Sequence, residues 1–287
     1  MTSVSDPVTA AVRAHDRERY IAALFAPEPA RGGLIALAAY QLELARVRGA
    51  VSEPLPGEIR LQWWRDVIEG RTEAGGHPVA TALLATIERF RLPRLPLAAM
   101  SEAWIFDLYN DPMPTLADLE GYAGETRAAL IQLGALVLAD GDDPKSATAA
   151  GHAGVAQTVA AVLAALPRHA ARGQVYVPVD LLERHGASAG DILARRASAA
   201  VAATVADLVG HARSHLERAR AALADIDPRA ATALLPALAT ERLLDRALQR
   251  RHDPFRPAAG PATWRTQLDI WREARRLRRT LRSHAAK

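Results

Sequence analysis

The sequence predicts an all-α protein, a helical bundle in which residues 1–287 form a single domain. Three observations carry this prediction. About a fifth of the residues are Ala, with Leu, Arg and Glu also frequent, and all four favour helix. Val and Ile are scattered and rarely alternate with polar residues. Apolar residues instead recur at helical spacing, as in Leu34, Leu37, Ala38, Gln41, Leu42 and Ala45, and again in Val155, Val159, Val162, Leu163 and Leu166.

Punctuation places the elements in order. Asp6-Pro7 puts an N-cap acceptor before a proline suited to the first helical position, opening a helix over 7–27. The Leu34–Ala45 run lies in a second helix, 31–49, and further helices are expected near 57–69, 77–89 and 96–109. Thr115 with Asp118 resembles a capping box and opens 115–139. Asp143-Pro144 opens 145–166, which Pro167 ends. A short helix over 178–184 follows. Ser188 with Asp191 opens 188–222, Asp227-Pro228 opens 228–250, and a last helix covers about 261–283. Segments 128–139 and 153–166 are apolar nearly all round, which suits the centre of a large bundle. No Gly/Ser/Pro-rich linker and no repeat divides the chain.

Composition removes several classes of function. There is no cysteine, so disulfides, thiolate metal sites and cysteine nucleophiles are excluded. Hydrophobic residues are 49% and charged residues 24%, which excludes wholesale disorder. The net charge of +4 is uneven. From residue 240 onward 13 Lys/Arg face 5 Asp/Glu, a net of +8, whereas the remaining 23 and 27 give −4. Of the 36 basic residues 34 are Arg, a bias that reflects genome composition more than function. No stretch reaches the roughly 18 to 20 uninterrupted apolar residues of a membrane span, and no secretory signal is evident. The expected location is the cytoplasm, free or peripheral on the inner face of the membrane.

Arg19-Tyr20, the segment ALAAYQLELARVRGAVSEPLPGEIRLQWWRDVIEG from Ala36, His77-Pro78, Asp107-Leu108, Tyr122-Ala123 and RGQVYVP at 172–178 together resemble the squalene/phytoene synthase family. The resemblance spans roughly 17–190 in order and spacing. It implies the isoprenoid-synthase bundle, with helices around a central, largely apolar cavity. Active members join two prenyl diphosphates head to head, using two aspartate clusters on facing helices to hold Mg²⁺. Such clusters suit a hard cation that takes carboxylate and phosphate oxygens and must carry the leaving group's charge.

In that register the clusters are degenerate. Ala45, Arg46 and Gly49 fall on the first motif, Ala165 and His169 on the second, and Ala161 on an asparagine. Arg46, Arg48, Arg168, His169 and Arg172 make the mouth basic. No metal is therefore expected, and Tyr40, Glu43, Arg46, Gln157, Arg168, His169 and Arg172 are candidates for lining the cavity or binding an anion. His169 has a plainer reading as a capping or surface histidine, and Arg168 and Arg172 as a solvated helix end. Glu43 reads as a structural ion pair with Arg46 or Arg65, and Trp63 and Trp64 read as core.

YQLELAR, VSEPLPG, YAGETRAALI and the stretch from Ala150 to Gly186 resemble the branch of the family that holds the mitochondrial complex I assembly factor. That likeness implies a non-catalytic protein supporting biogenesis of a membrane subunit of respiratory NADH dehydrogenase, with a possible prenyl lipid or prenyl diphosphate in the cavity. The alternative is an active prenyl transferase using farnesyl or geranylgeranyl diphosphate, with Mg²⁺ held by Glu43 and Asp66.

Other residues read more plainly. Asp66, Asp107 and Glu125 are isolated carboxylates. His211 and His215 lie one helical turn apart, but neither His152 nor any other residue is evident as a third ligand, so zinc is not expected. In the final helix Trp264, Leu268, Trp271, Ala274 and Leu281 recur near helical spacing among Arg265, Arg272, Arg275, Arg276, Arg278, Arg279 and Arg282. Such a basic, tryptophan-bearing face suits an anionic membrane surface, with Trp264, Trp271, Arg275 and Arg276 as contacts, or else docks on the bundle. No nucleic-acid motif accompanies the charge, and no nucleic-acid partner is expected.

Overall fold

The computed structural model describes residues 6–256 and 263–285, and among these every regular element is a helix or helical turn. The helices are α1 (Pro7–His15), α2 (Arg17–Ala23), α3 (Ala30–Val47), α4 (Pro54–Glu69), α5 (Pro78–Phe90), α6 (Arg94–Ala103), α7 (Leu116–Ala123), α8 (Ala129–Leu138), α9 (Ala147–Ala171), α10 (Val179–Arg184), α11 (Ala189–Leu193), α12 (Ala199–Ala221), α13 (Leu235–Leu238), α14 (Glu241–Gln249) and α15 (Thr263–Ala285).

Three of the expected starts form as the sequence predicts. Asp6 accepts from the backbone of Val8 and Thr9, and both capping boxes, Thr115 with Asp118 and Ser188 with Asp191, close in full. Elsewhere the chain breaks where one long helix was expected. The 7–27 segment divides at Asp16, whose carboxylate caps α2 through Arg19 N and pairs with the Arg19 guanidinium at 2.6 Å. The 188–222 segment divides after α11, where Arg195 takes φ 51° and Ser198 caps α12. Asp143 and Asp227 each bond a backbone N–H two residues on without opening an α-helix. The 228–250 segment accordingly starts as a 3₁₀ turn and becomes α13 and α14.

Two departures position the site. Segment 115–139 stays helical, but between α7 and α8 the chain makes a π turn, Gly124–Ala128. Its i→i+5 bonding brings residues five apart onto nearly one face. Helix α9 does not stop at Pro167 but runs four residues further, to Ala171. The proline forfeits one backbone bond and strains the preceding turn. Leu166 and Ala170, both buried, hold the helix on either side of it.

Helix α9 is the axis of the bundle. It packs along α12 and also meets α7, α8, α14 and the π turn. Its N-terminal part, Ala149 to Ala153, belongs to an apolar core built with α1 through α6 and α8. Its later part, Ala156 to Ala170, joins a second core with α10, α11, α12 and α14. This helix is long and apolar enough to cross a membrane, yet 72% of its most apolar window lies inside the bundle. Gly154 permits its close approach to the π turn, since a Cβ there would stand 2.6 Å from Ala128 N.

Helix α15 docks on α2 and α13 through Ile270, Ala274 and Leu277, all buried. The docked face is thus turned away from the tryptophans. Trp264 is 58% and Trp271 44% exposed, and with Ile21 of α2 and Leu24 and Phe25 just after it they border an open groove. Arg275 lies over the Trp271 ring at 4.3 Å, and Arg276 pairs with Glu273 at 2.6 Å. The Arg282 side chain lies outside the described residues, as do residues 1–5, 257–262 and 286–287.

Candidate functional site

Because α9 continues past Pro167, Thr158, Ala161, Ala165, Arg168, His169 and Arg172 form one stripe at spacings of three and four. That stripe is one wall of a cavity of about 380 Å³. Opposite it stand Gln41, Ala45 and Arg48 from the end of α3, Tyr122, Thr126 and Arg127 around the π turn, and Trp104, Asp107, Gln174 and Tyr176. Tyr122 and Arg127 share this wall because the π turn rotates residue 127 toward residue 122. An unbroken α-helix would set them about 140° apart.

Asp107 is the one carboxylate on this wall among the described residues, and it is 5% exposed. Tyr122 donates to its Oδ2 at 2.9 Å and Tyr176 donates to its Oδ1, while Gln174 donates to its backbone carbonyl at 3.2 Å. Burial pushes its carboxyl up to about 6 against the opposing pull of the two hydroxyls. Burial and Asp107 together raise both tyrosines above the ordinary phenol range.

The rest of the wall is cationic or neutral. Arg48, Arg127, Arg168 and Arg172 contribute four guanidinium groups. Burial, then the neighbouring Arg19, lowers Arg127 to about 10, and it stays charged at neutral pH. His169 is lowered to about 4 by burial, then by Arg168 and Arg172, and is neutral. Its ring lies 4.6 Å from that of Tyr176. Four buried polar atoms of this wall lack a hydrogen-bond partner: Arg48 Nε, Trp104 Nε1, Thr158 Oγ1 and His169 Nδ1. Buried polar groups are ordinarily paired, by ordered water or by a ligand, and these four are free to pair with whatever fills the cavity.

This donor set does not fit Mg²⁺ held by carboxylates. Its lone carboxylate is engaged by two hydroxyls and outnumbered by arginines. A second cavity of about 390 Å³ shares Arg127 and Ala161 with the first and carries Asp16 and Glu18. Asp16 is already committed to Arg19 and the cap of α2, and Glu18 is raised by burial and then by Asp16. The apolar interior between α2, α3 and α8 is nearly filled. Its residual pocket is about 40 Å³, well below the ~300–1,000 Å³ of sites that enclose small molecules.

Of the residues the sequence nominates, Ala45, Ala165, Arg168, His169 and Arg172 meet at this cavity. Gln157 lies beside it, in the second cavity, where it accepts from Arg19 at 3.3 Å. Four nominations are corrected, since none of these residues lines the cavity. Tyr40 is fully buried away from the cavity, its hydroxyl donating to Leu97 O at 2.8 Å and meeting Ser101 Oγ at 2.6 Å, its ring edge-on to Trp64 at 5.1 Å. Glu43 and Arg46 pair with each other at 3.0 Å on the outer side of α3. Gly49 is exposed, in the turn that ends α3. Arg65 pairs with Glu102 at 3.2 Å instead, and Trp64 is core. Sequence reasoning missed Arg127, whose position depends on the π turn, and the joining of Asp107 to Tyr122 and Tyr176. All three lie in the segments Asp107-Leu108, Tyr122-Ala123 and RGQVYVP, and that was the available signal.

The comparisons with known proteins agree with this architecture. A sequence model of the family described as squalene/phytoene synthase matches residues 12–272. The chain is 31% identical over 249 residues to the rat protein named NADH dehydrogenase (ubiquinone) complex I, assembly factor 6, covering 86% of this chain and 74% of that one. The human protein of that name is 30% identical over the same shares. A phytoene synthase of Thermus thermophilus is 27% identical over 90% of this chain and 88% of its own. Among solved structures, squalene synthase HpnC of Alicyclobacillus acidocaldarius superposes with a TM-score of 0.72 at 25% identity, covering 86% of this chain and 94% of that chain. A dehydrosqualene synthase superposes with a TM-score of 0.80 at 17% identity, over 96% and 95%, and shows the shared fold. The all-α bundle around the α9 cavity and the match over residues 12–272 lead to one conclusion: this chain belongs to the squalene/phytoene synthase family.

Proposed function

We propose that this protein is a non-catalytic member of its family that supports assembly of respiratory NADH dehydrogenase, and that its cavity receives an anionic head group. The carrying observation is the cavity wall: four arginines and a neutral histidine against one tyrosine-bound carboxylate. Such a wall attracts phosphate or carboxylate oxygens through bidentate guanidinium contacts and repels a divalent cation. The unpartnered Arg48 Nε, Trp104 Nε1 and Thr158 Oγ1 supply further donors. The register of the resemblance, which sets Ala45, Arg46, Gly49, Ala165 and His169 where the family's aspartates are expected, favours the same reading, as do the relatives named as complex I assembly factors. The nearly filled apolar interior supports it too, since condensation needs room for two prenyl chains. The exposed Trp264, Trp271 and Arg275 favour a peripheral station on an anionic membrane, on the cytoplasmic face.

The likeness to phytoene synthase and to squalene synthase HpnC keeps prenyl transfer as the second reading. Two measurements separate them. Deletion of the gene is expected to reduce assembled NADH dehydrogenase on native gels, and unchanged assembly would overturn the first reading. Purified protein given farnesyl or geranylgeranyl diphosphate with Mg²⁺ is expected to bind the diphosphate without forming a C30 or C40 product. Product formation would establish the second.

A further inference from the structure

A second polar cluster lies on the other side of α7 from the cavity. Glu120 precedes Tyr122 by two residues, a rotation of about 200° around the helix. Glu120 Oε1 is 2.7 Å from His211 Nε2 and 3.6 Å from His215 Nε2. The ligand atoms of all three lie within 4.8 Å of one another. His211 and His215 are one turn apart on α12, with ring centroids 4.6 Å apart, so both project from one face of that helix. Glu120, 91 residues upstream of His211, is the third donor that the sequence could not locate.

The His215 ring is held from behind. Its Nδ1 lies 3.2 Å from His152 Nδ1 on α9, with the two rings edge to face at 4.9 Å. A neutral imidazole has one N–H, so one ring donates and the other accepts. With His215 Nδ1–H donating to His152, the lone pair of His215 falls on Nε2, the atom that faces Glu120 and His211. Metal-ligating histidines are oriented in this manner, their second nitrogen bonded to a neighbouring acceptor.

We propose that Glu120, His211 and His215 bind one Zn²⁺, with His152 fixing the tautomer of His215. Two imidazoles and a carboxylate without thiolate are a donor set that Zn²⁺ accepts, and three protein ligands leave a fourth tetrahedral position for water. Zn–ligand bonds of 2.0–2.2 Å require ligand atoms about 3.3 Å apart. The two separations from Glu120, 2.7 and 3.6 Å, bracket that figure, and with all three ligand atoms within 4.8 Å of one another side-chain adjustment brings them onto one ion. His211 and Glu120 are 24% and 38% exposed, giving the ion an entry, while His215 at 8% is anchored. The bound ion would tie α7 to α12 and steady the helix that carries Tyr122. This site is separate from the α9 cavity and does not depend on the assembly role.

The test uses the full chain without a histidine tag, stripped of metal with a chelator and titrated with Zn²⁺ alone. One equivalent is expected by calorimetry and by elemental analysis after gel filtration. Glu120→Gln and His211→Asn should abolish it, and His152→Asn should weaken it at least about tenfold. His185→Asn, at a histidine paired with Asp207 elsewhere, should leave it unchanged. X-ray absorption on the zinc-loaded native chain should show two imidazoles in the first shell, which keeps the test independent of variant folding. Absence of stoichiometric binding, binding that survives both ligand substitutions, or fewer than two coordinated imidazoles would each overturn the proposal.

Discussion

Tyr122 Oη lies 2.9 Å from Asp107 Oδ2, and Tyr176 donates to the other oxygen of the same carboxylate. The two hydroxyls keep a buried acid ionisable in a wall whose burial drives its pKa up to about 6. Tyr122→Phe removes one donor and should cost about 1–3 kcal/mol of stability. A carboxyl raised from 3.8 in the unfolded chain contributes most below that value and loses its contribution as pH rises through about 6. Removing a donor raises it further, so the cost of the substitution should be larger at pH 7 than at pH 5. Denaturant unfolding at both pH values checks this, and equal costs would disprove it.

His169 carries the opposite sign. Its folded pKa is lowered to about 4, so the unfolded chain takes up the proton first and stability falls as pH drops below about 6.5. Relative to His169→Asn, which cannot titrate, the native chain should lose about 1–2 kcal/mol between pH 7 and pH 5. Parallel stability curves for the two proteins would refute the buried, neutral histidine.

Gly154→Ala tests the crossing of α9 with the π turn. The added methyl would meet Ala128 backbone atoms at 2.6–2.7 Å, which cannot rotate aside. A loss of about 1–3 kcal/mol is expected, although alanine is the better helix former. A stabilised variant would show that the approach is looser than described.

Tyr40→Phe distinguishes a structural tyrosine from a ligand-binding one. It strips the hydroxyl from Leu97 O and Ser101 and should cost about 1–3 kcal/mol, leaving farnesyl diphosphate affinity unchanged. Arg168→Ala and Arg172→Ala should do the reverse, lowering that affinity at least about tenfold with little effect on stability. Titration calorimetry reads both.

Trp271→Ala combined with Arg275→Ala removes an exposed ring and the guanidinium lying over it. Binding to vesicles rich in anionic lipid should fall several-fold, and added salt should erase much of the native chain's advantage. Unaltered vesicle binding would exclude this face as the membrane contact.

Helix starts were legible where a capping side chain and the following residues are local, as at Asp6, Thr115 and Ser188. The breaks at Asp16 and Arg195 were not. There a favourable helical pattern is interrupted by local caps, Asp16 on Arg19 N and Ser198 on Val201 N, whereas apolar spacing reports the pattern alone. Pro167 misled in the other direction, because local chemistry says stop while the buried Leu166 and Ala170 hold the helix together. Arg168, His169 and Arg172 therefore line a cavity, with both arginines still exposed at the helix end. In the final helix the arginine-flanked tryptophans were visible, but which face docks was decided by the surface that α2 and α13 present.

By itself the sequence determined the helical class, the family, the lack of thiol chemistry and the basic C-terminal end, since these depend on composition and on order along the chain. Only the tertiary structure decided which polar residues share a space. It gathered Asp107, Tyr122, Arg127, His169 and Tyr176 at one cavity, sent Tyr40 into the core, and brought Glu120 to His211 and His215. Encounters between distant side chains are set by how helices cross, and a single π turn or a helix carried one turn past a proline changes them all.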